Sequence, residues 1–239
     1  MELLLQGIKQ AIILILKGDP ELYEIAWLSL KVSGSAVLIS MLLGVPWGVF
    51  LALSRFPGRR FLVTLTNTAM GFPPVVVGLF VSLFLWRSGP LGFLELLYTP
   101  AAMVIAQVII AEPIVAGLTL SAIQQLDPRL GQQALSLGAS RWQMLWTLLK
   151  EAKLPTLAAL MAGFGGVISE VGAVMMVGGN IKGQTRVLTT ATVLETRIGR
   201  FEMAIALGFV LLVLAFVVNL VLTQSQQRGA VPWHIRGWK

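Results

Sequence analysis

Asp127-Pro128-Arg129-Leu130-Gly131-Gln132-Gln133-Ala134-Leu135-Ser136-Leu137-Gly138-Ala139-Ser140-Arg141-Trp142 is a polar island between two long apolar runs, Pro100–Leu126 and Leu154–Val177. Asp127 can cap a helix and Pro128 suits its first turn, where a missing N–H costs nothing. A short helix is therefore expected over Arg129–Leu137, with Gly138 as its left-handed stop. Ser140 then caps a second helix running to Lys150. The connection Asp127–Lys153 thus reads as a structured elbow, because a long linker between two spans is unusual unless it has structure of its own. Ala134, Leu135, Leu137 and Ala139 put small or apolar groups beside the turn. Two readings stand: a solvated connector, or a knob that docks into a cytoplasmic partner.

Outward from the elbow, five apolar runs cover roughly Ile25–Leu53, Phe61–Trp86, Pro100–Leu126, Leu154–Val177 and Met203–Leu222. Each can cross a bilayer, which takes ~20 residues of helix. The composition agrees: 56% hydrophobic and 12% charged, with mean hydropathy +0.82, where soluble domains carry about 25% charged residues. A water-soluble enzyme is excluded on that ground. Trp27, Trp47, Trp86, Trp142 and Trp146 sit near the run ends, as an aromatic belt requires. Residues 1–19 carry Glu2, Gln6, Lys9, Gln10 and Lys17 at near-helical spacing and read as an amphipathic interfacial helix. The fold class expected is an all-α membrane protein: residues 25–222 form the membrane domain and 223–239 a cytoplasmic tail.

The net charge of +7 is unevenly spread. Arg55, Arg59, Arg60, Arg129, Arg141, Lys150, Lys153, Arg228, Arg236 and Lys239 would share one side with only Asp127 and Glu151. The other side carries eight basic residues against seven acids. Positive-inside logic then puts the elbow and the tail in the cytoplasm and the N-terminus outside. The basic balance reports topology, so nucleic acid is not an expected partner. With no cysteine and one histidine, His234, neither a thiolate site nor a histidine metal centre is available; no catalytic cluster, metal or cofactor is expected.

The elbow residues Gln132–Trp142, with the later Leu154-Pro155, resemble the cytoplasmic signature of bacterial ABC-importer permeases. In that family the signature runs Glu-Ala-Ala, three residues, Gly, and a later Leu-Pro. Gln132 and Gln133 depart from its first two positions, and Leu154-Pro155 lies about one helical turn farther along. The block Ile168–Ile181, with Thr185-Arg186-Val187-Leu188-Thr189-Thr190-Ala191 and Leu194-Glu195-Thr196, resembles the molybdate and tungstate oxyanion permeases, most of all the tungstate type. The resemblance implies a type I importer permease in a bacterial or archaeal cell (inner) membrane. It further implies a second copy of the chain, two cytoplasmic ABC ATPase subunits and an extracytoplasmic oxyanion-binding protein, besides membrane lipid. Coupling to the ATPase would fall on Gln132, Gln133, Ala134, Leu135, Leu137, Gly138, Ala139 and Ser140. Molybdate or sulfate transport, or an ATP-independent channel or scaffold, are the alternatives.

Three further groups carry candidate chemistry. Lys182, Arg186, Arg197 and Arg200, in a loop expected outside, either pair with lipid phosphates and with Glu195 and Glu202, or attract an oxyanion or a binding protein. Arg186 leads, since arginine forms bidentate contacts to oxyanions. Glu112 and Glu170 lie within apolar runs, where acids are costly and usually functional or internally paired. Both are expected to face the bundle interior and accept hydrogen bonds or pair with a basic side chain, and with Ser169 and Gly172 they are candidates for the translocation path or its gate. Finally, Gly178–Thr185 nearly matches a phosphate-binding loop, but Gln184 holds the lysine position, so ATP binding by this chain is not expected.

Overall fold

The computed structural model describes residues 2–227; the tail expected at 223–239 lies outside the described residues from Arg228 onward, as does His234. Among the described residues the fold is helical throughout. The chain opens with α1 (Glu2–Lys17), and α2 (Pro20–Leu53) follows at once. Asp19 caps α2 by accepting the Leu22 N–H at 2.9 Å, with Pro20 in the first turn. Then come α3 (Arg59–Ala69), α4 (Pro74–Leu85), α5 (Pro100–Gln124), α6 (Pro128–Ser136) and α7 (Arg141–Glu151). The last four are α8 (Lys153–Ile168), α9 (Gly172–Gly178), α10 (Leu188–Arg197) and α11 (Phe201–Gln227).

The scaffold is the α2–α5 pair. Ser29, Ser33, Ala36, Ser40, Gly44 and Gly48 recur at three- or four-residue steps on α2 and are all buried. Such a small-residue stripe lets two helices approach closely, which is how helices associate where lipid removes the hydrophobic drive. The approach is tight: a Cβ on Gly44 would stand 2.9 Å from the Glu112 carbonyl, and one on Gly48 would strike the Ala116 carbonyl. Across α5, Gln107 donates to the Val167 carbonyl of α8 at 3.0 Å in a buried setting. Such bonds in a membrane average about 0.6 kcal/mol, so packing does more of the holding.

α1 lies along α11. Gly7 and Ala11 are the buried positions of α1, Gly7 against Ile205, while Lys9 and Lys17 are exposed. Ala11 joins Leu22, Ile25, Leu188, Ala206, Leu207 and Val210 in one apolar cluster. A second cluster fills the space between α2, α4, α5 and α9 (Val32, Val81, Met103, Val174), and a third anchors the elbow to the bundle through Val49, Ile123 and Leu148.

Three helices, α2, α5 and α11, are each long and apolar enough to cross a membrane; there are five crossings if each of two bent pairs counts as one. Those pairs depart from the continuous runs read in the sequence. The second run, Phe61–Trp86, folds as α3 and α4 with a bend of 103° between them. The cause lies in Gly71-Phe72-Pro73-Pro74: neither proline has an N–H to continue the ladder, and the residue before a proline is pushed out of the helical region. The fourth run bends by 59° between α8 and α9. There Ser169 turns its hydroxyl back onto the Gly165 carbonyl at 2.8 Å. Beyond the break, Glu170 caps the next half by accepting the Ala173 N–H at 2.9 Å. The two far halves meet: Gly78 of α4 lies so close to Ala173 of α9 that a Cβ there would be 2.6 Å from the Ala173 Cα.

Candidate functional site

The elbow is the most sharply built of the candidate sites. Asp127 accepts the Arg129 N–H at 2.8 Å and starts α6. α6 ends in a Schellman motif: Ala139 N–H bonds the Ala134 carbonyl (3.1 Å) and Gly138 N–H bonds Leu135 (3.0 Å), with Gly138 at φ +87°. Ser140 and Gln143 then form a reciprocal capping box, 3.3 and 2.7 Å, that starts α7. Both ends of the turn are thus locked by local hydrogen bonds. α6 itself buries no residue, and Leu137 at its end is 88% exposed. Gln132, Gln133, Leu135, Gly138 and Ser140 are exposed, and Ala134 and Ala139 half-buried. A rigid helix carrying an uncovered leucine is suited to entering a groove on another protein.

At the opposite end two of the basic residues meet one acid that the sequence did not pair with them. Lys182 reaches Glu21 at 2.7 Å, and Arg186 reaches the other oxygen of the same carboxylate at 3.6 Å. Arg200 pairs with Glu195 at 3.0 Å, one of the two local acids expected. The three cations and two acids line one cleft of about 200 Å³, with Asp19 and Leu22. Arg197 is exposed at the end of α10 and pairs with no acid among the described residues. The pairs of exposed Lys182 and Arg200 are worth about 0–1 kcal/mol each. Arg186 differs, since its side chain is only 17% exposed and its Nε is buried without a hydrogen-bond partner. It is a donor placed beside the cleft and not used up by Glu21.

The loop before α10 closes on itself. Thr185 donates to the Gly178 carbonyl at 2.5 Å and accepts the Ile181 N–H at 3.0 Å. The N–H groups of Gln184, Thr185 and Arg186 all turn onto the Ile181 carbonyl. Those amides are engaged within the loop, which is the reverse of an open phosphate cradle. The loop is fastened to the bundle by Ser29, whose hydroxyl accepts the Leu188 N–H at 2.8 Å, and by Thr189, which donates to the Glu170 carbonyl at 3.0 Å. Glu21, Ser29 and Thr189 escaped the sequence reading. Glu21 and Ser29 lie far in the chain from their partners; the three- and four-residue spacing of small residues from Ser29 to Gly48 is the signal that could have found its helix face.

Glu170, Ser169 and Gly172 are brought together at the α8–α9 break, where Gly172 packs on Val75 of α4. Glu112 stands apart from them, on α5, with its backbone carbonyl against Gly44. It corrects an expectation: among the described residues no hydrogen bond or ion pair engages its carboxyl group. The side chain is half-buried on the single chain.

Residues 44–229 match the family described as binding-protein-dependent transport system inner membrane component. The chain belongs to this family. It is 40% identical to the tungstate uptake system permease protein TupB of Peptoclostridium acidaminophilum, across 95% of this chain and 100% of that one. A probable anion ABC transporter permease protein of Haloferax volcanii is 43% identical over 83% of this chain and 88% of its own length. Among solved structures, a bacterial alginate ABC transporter in complex with an alginate pentasaccharide-bound periplasmic protein aligns with TM-score 0.77. That alignment covers 94% of this chain and 86% of the other at 20% identity, which shows a shared fold. The family is one of multi-pass membrane transport components rather than catalytic enzymes, and the type I importer architecture expected from the sequence is the one found.

Proposed function

We propose that this chain is the translocation subunit of an ATP-driven importer of tetrahedral oxyanions, with tungstate as the substrate. The observation that carries the reading is the similarity to the tungstate permease along practically the whole of both chains. Two copies enclose the path, since one bundle with α2 packed so tightly on α5 leaves little room between its own helices. ATP hydrolysis belongs to separate subunits, each seated on α6 and its Leu137. The N-terminus, the cleft of Lys182 and Arg186, and the loop before α10 face outward; the elbow and tail face the cytoplasm, a reading supported by the concentration of basic residues there. A binding protein delivers the anion at the outer face. Closure of the ATPases draws the two α6 helices together and opens the path outward, and hydrolysis returns it inward. The breaks between α3 and α4 and between α8 and α9, with Ser169, Glu170 and Gly172, form the moving constriction.

Uptake of labelled tungstate, molybdate and sulfate in a strain lacking only this gene tests the reading. Loss of tungstate uptake, with the other two retained, is the expected result. Selective loss of molybdate or sulfate uptake would reassign the substrate, and uptake that persists after mutation of the ATPase nucleotide site would establish the channel reading instead.

A further inference from the structure

The cytoplasmic end of α2 and the face of α7 enclose a groove of about 490 Å³ that the transport reading leaves unused. One wall is Val45, Val49 and Leu53; the other is Trp142, Leu145 and Trp146. Two tryptophans on one short helix are 82% and 61% exposed, an arrangement unfavourable in water but ordinary at headgroup depth, where the indole body is buried and its N–H stays wet. Cations flank its lining residues. Lys150 places its Nζ 5.8 Å from the Trp146 ring centre, exposed Arg55 follows Ser54 of the groove directly, and exposed Arg141 precedes Trp142. No charged residue lines the groove itself, and the one acid adjoining these cations in the chain is exposed Glu151, which follows Lys150. Apolar walls flanked by basic residues match an amphiphile with an acyl chain and an anionic head.

We infer that this groove binds an anionic phospholipid of the leaflet facing the elbow. The occupant is chosen by the charge beside the groove: a zwitterionic headgroup would bring its own ammonium toward Lys150, which stands over the Trp146 wall, whereas a phosphodiester of net negative charge is drawn to Lys150 and to exposed Arg55 and Arg141, which adjoin lining residues in the chain. It is not the surface expected to hold the ATPase. The groove opens between α7 and the bundle, whereas α6 presents Leu137 on the other side of the turn at Gly138. A lipid seated there would fill the wedge between α2 and the elbow, and so steady the angle at which α6 is presented. Only the assignment to the cytoplasmic leaflet rests on the proposed orientation.

The test uses the full chain purified in detergent and titrated with phosphatidylglycerol or phosphatidylcholine of identical acyl chains, with bound lipid counted by native mass spectrometry. The expected result is severalfold greater retention of phosphatidylglycerol, falling to parity in an Arg55→Gln/Lys150→Gln double variant. Val45→Trp, which fills the groove and leaves the flanking cations intact, should lower retention of both lipids. Equal retention by the unaltered chain, or a preference that survives the double variant, overturns the assignment. So does efficient disulfide cross-linking between two copies carrying Leu145→Cys in native membranes, clean to read because the chain has no cysteine of its own. These readouts involve no transport, so they can fail while the importer reading stands, and the reverse.

Discussion

Gly78→Ala is the most direct way to ask whether the two broken runs are held together as described. A methyl group there would stand 2.6 Å from the Ala173 Cα, 3.2 Å from its Cβ and 3.2 Å from its carbonyl oxygen. Ordinary carbon contacts are at about 3.5–4.0 Å, so α4 and α9 must separate by roughly 1 Å. None of the three atoms is the tip of a flexible side chain, and Ala173 has no rotamer to change. Overpacking of this kind costs about 1–3 kcal/mol, and the rigid contact argues for the upper part of that range. Replacing a helical glycine by alanine returns about 1 kcal/mol of helix propensity. The net loss is then about 2 kcal/mol, or roughly 4–8 °C in Tm for a chain of this length. Gly34→Ala and Gly165→Ala are the matched controls, because a Cβ at either position meets nothing within 4 Å; their Tm should hold or rise. The assay is the temperature at which the detergent-solubilised chain loses its monodisperse size-exclusion peak. A Gly78→Ala protein as stable as Gly34→Ala would falsify the close α4–α9 contact and the shared constriction built on it.

Three further outcomes are expected. Gly138→Val, at φ +87° with open space around the new side chain, should act through the backbone alone; about 1–2 kcal/mol of left-handed strain should loosen the elbow and reduce copurification of the ATPase, with Gly138→Asn milder. Ser140→Ala removes one half of the capping box, so about 1 kcal/mol of local helix stability should be lost, seen as faster amide exchange in the first turn of α7 with the transmembrane helices unchanged. Arg186→Gln should depress uptake at limiting substrate more than Arg197→Gln, and Glu21→Gln, which frees Arg186 and Lys182, should leave uptake intact or raise it; equal effects of the two arginine variants count against Arg186 as the anion contact.

The elbow was legible almost residue by residue because its rules are local. A proline after an aspartate, a glycine that stops a helix and a serine three residues before a glutamine fix their own hydrogen bonds whatever the rest of the chain does. The breaks were less legible, for two different reasons. Gly71-Phe72-Pro73-Pro74 carries a breaking signal that a reading by apolar run length passes over: run length reports what a bilayer accepts, not whether the helix is unbroken. At Ser169-Glu170-Val171 no proline marks the bend, which depends on a side-chain cap at Ala173 and a neighbour, Thr189, that only the folded chain supplies. The outer cluster had the same difficulty. Lys182 and Arg186 were visible as cations, but Glu21 comes within reach only through the packing of α2 against the loop before α10.

The breaks have a consequence for the life of a lone subunit. Gly71, Phe72, Pro73 and Ser169 are exposed on the single chain, inside stretches otherwise apolar enough for lipid. Hydrocarbon cannot satisfy the carbonyl groups that a broken helix releases, and each one left bare costs several kcal/mol. A solitary copy must therefore hold water against that flank, thin the bilayer beside it, or find its twin. In the dimer proposed above the wetted flanks turn toward each other, and the defect that makes an orphan copy a ready substrate for membrane quality control becomes the lining of a passage.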